Sequence, residues 1–271
     1  MKFASVLAEV HRLRWQLLQP VMNMMVGPYR SAFRGEGIEF VDARPYEVGD
    51  DWRRIHWSLS ARKNQPYIRL GQEERELTCL IAIDRSPSMN LSAQKQELTL
   101  AVAVAFALSA ILNGDRVRWA AFGERITYFS PARKGEKLIW GFLAHLWYQP
   151  PLKGVTYLRP LLQWITSVVK RRSFVILISD LFFHDEMSWS LLPSIAQKHF
   201  VLLVRIQSER DMISLPWGFL PAREVETQRT FTLGYESPPP LPITPSLRTA
   251  HIHSKAGLIP ALQKALLPPL R

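Results

Sequence analysis

The sequence predicts an α/β fold built on a doubly wound, mostly parallel sheet, and three observations carry that prediction. From residue 77 onward, strand-length apolar runs alternate with longer segments of helical periodicity, the pattern of successive strand-helix-strand units. Two runs, at residues 77–84 and 174–180, are nearly continuous in apolar residues, as strands buried inside such a sheet are. Both stop at an aspartate, Asp84 and Asp180, and sheets of this class bind ligands outside the carboxyl ends of their strands.

Taken in order, residues 1–34 read as an N-terminal amphipathic helix and connector: Val6, Leu7, Val10, Leu13, Leu17 and Leu18 recur at helical spacing up to Pro20. Residues 35–76 are rich in Gly, Asp, Arg and aromatics, with strand-like pieces such as Tyr67-Ile68-Arg69-Leu70, and form a β-rich extension. Residues 77–235 form the α/β domain, with strands at about 77–84, 116–122, 125–129, 174–180 and 199–206 and helices at about 92–113, 135–147, 157–170 and 187–197. Asn113-Gly114-Asp115 supplies a C-terminal glycine for the first long helix. Residues 236–271 read as a Pro-rich linker, extended over 237–245, followed by a short helix over 254–267.

Composition narrows the class. Hydrophobic residues make up 47% of 271, enough for a packed core, and disorder is excluded for most of the chain. The single cysteine, Cys79, sits inside a core strand, so no intrachain disulfide forms and a reducing compartment is expected. Basic residues interrupt the first 25 positions, which therefore do not read as a signal peptide, and the apolar segment 98–112 reads as a helix buried on the sheet rather than a membrane span. A cytoplasmic location follows as the expectation. The net charge of +11 concentrates in residues 78–207, which hold 15 basic and 8 acidic residues. Such a surface attracts nucleic acid, anionic lipid or acidic protein, and charge does not choose among them.

The chemistry gathers around Asp84-Arg85-Ser86-Pro87-Ser88. Asp-x-Ser-x-Ser alone is a weak signal, because the same residues make ordinary turns. Thr156, opening a predicted helix, and Asp180 join it at one edge in a doubly wound fold. Two carboxylates and three hydroxyls are hard oxygen donors of low total charge, which suits Mg²⁺ or Mn²⁺ with a coordination position left open for a partner's carboxylate. His251-Ile252-His253 is a weaker imidazole pair in a Pro-rich tail, and no P-loop spacing supports ATP binding.

With these residues in place the chain resembles the von Willebrand factor A domain, a Rossmann-type fold whose metal-ion-dependent adhesion site pattern is matched by Asp84, Ser86, Ser88, Thr156 and Asp180. The resemblance implies that these five hold the ion directly or through water. Ahead of the sheet, Gly35-Glu36-Gly37-Ile38-Glu39-Phe40, Arg44-Pro45-Tyr46, Gly49-Asp50-Asp51-Trp52-Arg53-Arg54-Ile55-His56-Trp57 and Ala61-Arg62 resemble the signature of the domain of unknown function 58 family. The signature residues are Glu39, Arg44, Tyr46, Gly49, Asp50, Asp51, Arg53, His56, Trp57 and Arg62, and His56 stands where that family usually has aspartate. Physically, Asp50 and Asp51 with Arg53, Arg54 and Arg62 are expected to form an ion-pair network fastening the extension to the sheet, with Trp52 and Trp57 buried beside it.

These readings converge on a metal-dependent protein-interaction module without enzymatic activity. Members of the resembled family commonly occur beside MoxR-type AAA+ ATPases, so the resemblance implies an adaptor or co-chaperone that works with such an ATPase. Two rivals stay open: a metal-dependent hydrolase, which needs a general base near Asp84 and Asp180, and a basic module for nucleic acid or anionic membrane, whose affinity collapses with salt.

Overall fold

The computed structural model describes residue 8 and residues 43–69, 77–90, 92–149, 152, 154, 156–181, 183, 186–208, 221–223, 230–232 and 246–266. They fall into two compact units, one within Phe33–Glu76 and the other taking in the chain from Leu77 onward. Apart from residue 8, the expected helix over 1–19 lies outside the described residues, as do Glu39 of the signature and the Pro-rich stretch 237–245.

In the smaller unit, β1 (Ala43–Pro45) and β2 (Tyr67–Arg69) pair antiparallel, and α1 (Trp57–Lys63) comes between them in the chain. Arg44 donates to Asp50 Oδ1 at 2.5 Å, and the Tyr46 N–H reaches the Pro66 carbonyl at 2.8 Å. Gly49 takes φ +111°, a backbone conformation that disfavours any residue with a Cβ. Asp51 accepts the Arg53 N–H and so caps a 3₁₀ turn at Trp52–Arg54. His56 takes the N-cap of α1, its Nδ1 accepting the Leu59 N–H at 3.2 Å. That is the task an aspartate performs at an N-cap, which explains how an imidazole can stand there. Arg62 is exposed in the last turn of α1. Trp52 and Trp57 are not buried as expected but 64% and 69% exposed; Trp52 carries the Arg53 guanidinium over its ring at 5.7 Å.

The larger unit contains β3 (Thr78–Asp84), α2 (Pro87–Asn90), α3 (Ala93–Leu112), β4 (Arg116–Phe122), β5 (Ile126–Phe129), α4 (Lys137–Tyr148), α5 (Leu158–Val168), β6 (Phe174–Ser179), α6 (Leu192–Lys198), β7 (Phe200–Ile206), β8 (Pro221–Arg223), β9 (Thr230–Thr232), β10 (Leu247–Ile252) and α7 (Lys255–Leu266). Strands β8 and β9 pair with each other. The other six form one sheet in the order β10-β7-β6-β3-β4-β5, parallel except at β5. This is the doubly wound, mostly parallel architecture the alternation predicts.

Residues on opposite faces of the strands divide the core. On one face Leu80, Ala82, Val175, Leu177, Val201 and Leu203 pack with Leu158, Leu161 and Ile165 of α5 and Leu192 and Ile195 of α6. On the other, Trp119 of β4 stacks on Phe142 of α4 at 4.2 Å and Phe174 of β6 meets Phe106 of α3 edge-on at 5.9 Å. Helix α3 is long and apolar enough to cross a membrane by length and composition, but most of it is buried within the domain. Residues 98–110 are buried on all sides, as an all-round apolar helix requires. Gly114 closes it at φ +80°. Cys79 is fully buried, and burial pushes its thiol pKa up, which makes it inert. The segment expected as a helix at 187–197 begins as a 3₁₀ turn, Glu186–Leu191, and becomes α-helical at α6, where a proline occupies the first turn. Strand β10 is absent from the sequence reading. It pairs parallel with β7, Leu247 opposite Val201, and α7 packs back on it, with Leu258 and Leu262 fully buried.

Candidate metal centre

Strands β3 and β6 run side by side with Ile83 opposite Ile178, so both end at the same edge. From β3 the chain proceeds to β4 and β5 on one side, whereas β6 leads to β7 and β10 on the other. The crevice at such a reversal is where doubly wound sheets place their ligands. Asp84 is the last residue of β3 and Asp180 the first after β6, each 2% exposed.

The loop chemistry after β3 fixes Asp84. Its Oδ1 accepts the Ser86 N–H at 2.8 Å, an Asx turn, and its Oδ2 accepts the Ser179 hydroxyl at 2.6 Å. The Ser86 and Ser88 hydroxyls lie 2.9 Å apart, and the Asn90 amide donates to the Ser86 carbonyl at 2.9 Å, closing the turn into α2. Thr156, 1% exposed, reaches this edge on a loop held at two points: the Leu152 N–H bonds the Arg85 carbonyl at 3.2 Å and the Tyr157 N–H bonds the Gly123 carbonyl at 3.3 Å. After Asp180 the chain turns through Leu181, whose φ of +62° is costly for a leucine, by about 1–2 kcal/mol. The Leu181 N–H donates to Ser179 Oγ at 2.9 Å, which helps hold the turn. Such outliers persist where surrounding structure enforces them, commonly at functional sites.

Burial raises the Asp84 carboxyl and the neighbouring Asp180 charge adds to it, together pushing its pKa up to about 7 against the hydrogen bonds from Ser179 and Ser86. Among the described residues, Lys95 brings a positive charge to these carboxylates. Lys95, in the first turn of α3 and 3% exposed, places its Nζ 3.2 Å from Asp180 Oδ2 and 3.4 Å from the Ser88 carbonyl. Sequence reading passed over both Lys95 and Ser179. The available signal was a lysine opening a long apolar helix, where the macrodipole disfavours a cation unless a carboxylate is near.

The five residues singled out in the sequence thus come to one sheet edge, and the donors they present are all oxygens. Hydroxyls and carboxylates of this kind suit a hard divalent cation, so the donor chemistry fits Mg²⁺ or Mn²⁺. Arg85 is turned into the protein. It is 7% exposed and donates to the Leu146 carbonyl at 2.5 Å and the Gln149 carbonyl at 2.8 Å, completing the C-terminal end of α4. His251 lies in β10 and His253 just beyond it, and no cluster of three or more His, Cys, Asp or Glu among the described residues is placed to hold a metal.

A model of the family described as "Protein of unknown function DUF58" matches residues 42–238. Uncharacterised proteins of Mycobacterium tuberculosis and Mycobacterium bovis are 29% identical over 216 residues, covering 77% of this chain and 67% of theirs. Among solved structures, the conserved hypothetical protein BatB from Bacteroides thetaiotaomicron aligns with a TM-score of 0.45 at 13% identity, over 69% of this chain and 96% of that one. A von Willebrand factor type A structure from Catenulispora acidiphila aligns with a TM-score of 0.41 at 13% identity, over 70% and 41%.

Proposed function

We propose that this chain, which belongs to the DUF58 family of proteins of unknown function, is a non-enzymatic protein-interaction module that presents a divalent cation to a carboxylate on its partner. One observation carries the reading: Asp84 and Asp180, both buried, meet at the sheet's switch point with the hydroxyls of Ser86 and Ser88 beside them and Thr156 on the adjoining loop. In this reading Asp84, Asp180, Ser86, Ser88 and Thr156 hold Mg²⁺ or Mn²⁺, directly or through water. The ion supplies Lewis-acid attraction for one further anionic oxygen. The chain's own residues do the rest: Ser179 and the Ser86 N–H orient Asp84, and the Leu181 turn presents Asp180.

The partner we propose is a MoxR-type AAA+ ATPase or its client, with this chain acting in the cytoplasm as adaptor or co-chaperone in the assembly of other complexes. The buried lone thiol accords with a reducing compartment. Calorimetric titration of Mg²⁺ and Mn²⁺ into the wild-type chain and into Asp84→Ala tests the reading, followed by capture of the ATPase with and without the cation. Binding to the wild type that is lost in Asp84→Ala, with cation-dependent capture, is the expected result. ATPase capture that is indifferent to both cation and Asp84 overturns it.

A further inference from the structure

We infer that the Lys95 ammonium is a built-in counter-ion of this site that competes with the divalent cation for Asp180, an inference that rests on the metal reading above. Lys95 sits at the third position of α3 in a helix that carries no other cation, where both burial and the helix N-terminus disfavour positive charge. A buried ammonium persists in such a place only when an anion and hydrogen-bond acceptors receive it. Here they are Asp180 Oδ2 at 3.2 Å and the Ser88 carbonyl at 3.4 Å, contributed by two of the five residues that would hold the metal.

The consequence is a competition for one oxygen. Among the described residues the Lys95 ammonium offsets negative charge on the aspartates, so a divalent cation meets less attraction than the carboxylates alone would exert. An ion taking Asp180 Oδ2 also brings two positive charges against the ammonium, which must then swing away on its four-carbon stem. Lys95 thereby keeps the aspartates together without the metal and weakens the metal's hold. A carboxylate arriving from the partner restores the missing negative charge, which couples cation uptake to partner binding.

Calorimetry with Mg²⁺ alone on wild type, Lys95→Met and Lys95→Arg, with Asp84→Ala as control, tests this. Lys95→Met is expected to bind Mg²⁺ at least about tenfold more tightly than wild type, because the competing charge is gone while the stem's packing stays. Lys95→Arg, which keeps the charge, is expected to stay within about threefold of wild type. Saturating Mg²⁺ is expected to raise the melting temperature of Lys95→Met more than that of wild type. Mg²⁺ affinity that is unchanged or weaker in Lys95→Met overturns the inference while leaving the metal reading intact. Absence of binding in wild type and Lys95→Met alike removes the metal reading and the inference with it. Should Lys95→Met fail to fold, the side-chain ¹³Cε signal of Lys95 in the wild type, assigned by its loss in Lys95→Arg, gives the answer. It is expected to shift on adding Mg²⁺ and to stay put in Asp84→Ala, and a signal indifferent to Mg²⁺ in calorimetrically loaded wild type overturns the inference.

Discussion

The Ser179 hydroxyl donates to Asp84 Oδ2 at 2.6 Å, joining neighbouring strands through residues 95 positions apart in the chain. Ser179 Oγ also accepts the Leu181 N–H at 2.9 Å, so one side chain both orients Asp84 and supports the left-handed turn that follows Asp180. Neither contact is implied by the spacing of the metal motif.

Ser179→Ala is therefore expected to destabilise the fold by about 1.5–3 kcal/mol, the usual cost of losing a buried hydrogen bond to a charged group. Urea unfolding of the two proteins measures it. Because that hydrogen bond holds the Asp84 carboxyl down, its loss moves the group further up, which a ¹³C carboxyl titration of Asp84 reads directly. A stability change below about 0.5 kcal/mol would contradict the role assigned to Ser179.

Arg85 is expected to behave as a structural residue. Arg85→Met leaves the Leu146 and Gln149 carbonyls without their donors at the end of α4 and is expected to cost about 2–4 kcal/mol in chemical denaturation. Arg85→Lys recovers only part of this, since a point charge does not reproduce the two-pronged guanidinium. Partner capture per folded molecule should be unchanged in both variants.

Acid sensitivity is expected from His199, the residue that ends α6 just before β7 and is 1% exposed. Burial, with Lys198 and Arg172 nearby, lowers its pKa from 6.5 to about 4. The unfolded chain then binds a proton that the folded chain refuses, so this contribution to stability is complete above pH 6.5 and is lost as pH falls through 4. The melting temperature of His199→Phe should decline less over that window than that of the wild type. Equal slopes would exclude His199 as the source.

The C-terminal strand is expected to be indispensable. Stopping the chain at residue 245 removes β10 and α7 and with them the buried side chains of Leu247, Ile252, Leu258 and Leu262. At about 1.5–3 kcal/mol for each buried aliphatic side chain, the loss rivals the 5–15 kcal/mol that stabilises a domain. It also exposes β7, buried along its whole length, as a sheet edge open to aggregation. Soluble yield and size-exclusion profile of the shortened chain decide the matter; a monodisperse, folded product would refute it.

Much of the fold was legible because its signals are local. Strand β4 begins and ends where the apolar run does, at Arg116 and Phe122, and α3 spans the expected segment to within a residue at each end. Strand β10 escaped because Leu247-Arg248-Thr249-Ala250-His251-Ile252 is short, mixed in polarity and placed after a proline-rich stretch; only pairing with β7 makes it a strand. Trp52 and Trp57 misled in the other direction, since aromatic character favours burial without requiring it. His56 keeps the local capping task at its position: the N-cap needs an acceptor atom, and an imidazole nitrogen supplies one.

By itself the sequence determined the class of fold, the strands that end at Asp84 and Asp180, and the set of oxygen donors, because periodicity, apolar runs and turn residues act over a few positions. Tertiary structure alone decided which charges those donors answer to. It brought the Lys95 ammonium 85 positions along the chain to Asp180, joined Ser179 to Asp84, and turned Arg85 inward to the end of α4. The physical reason is burial: inside a low-dielectric core a charged or polar group must find its partner wherever the packing places one, and sequence distance does not enter.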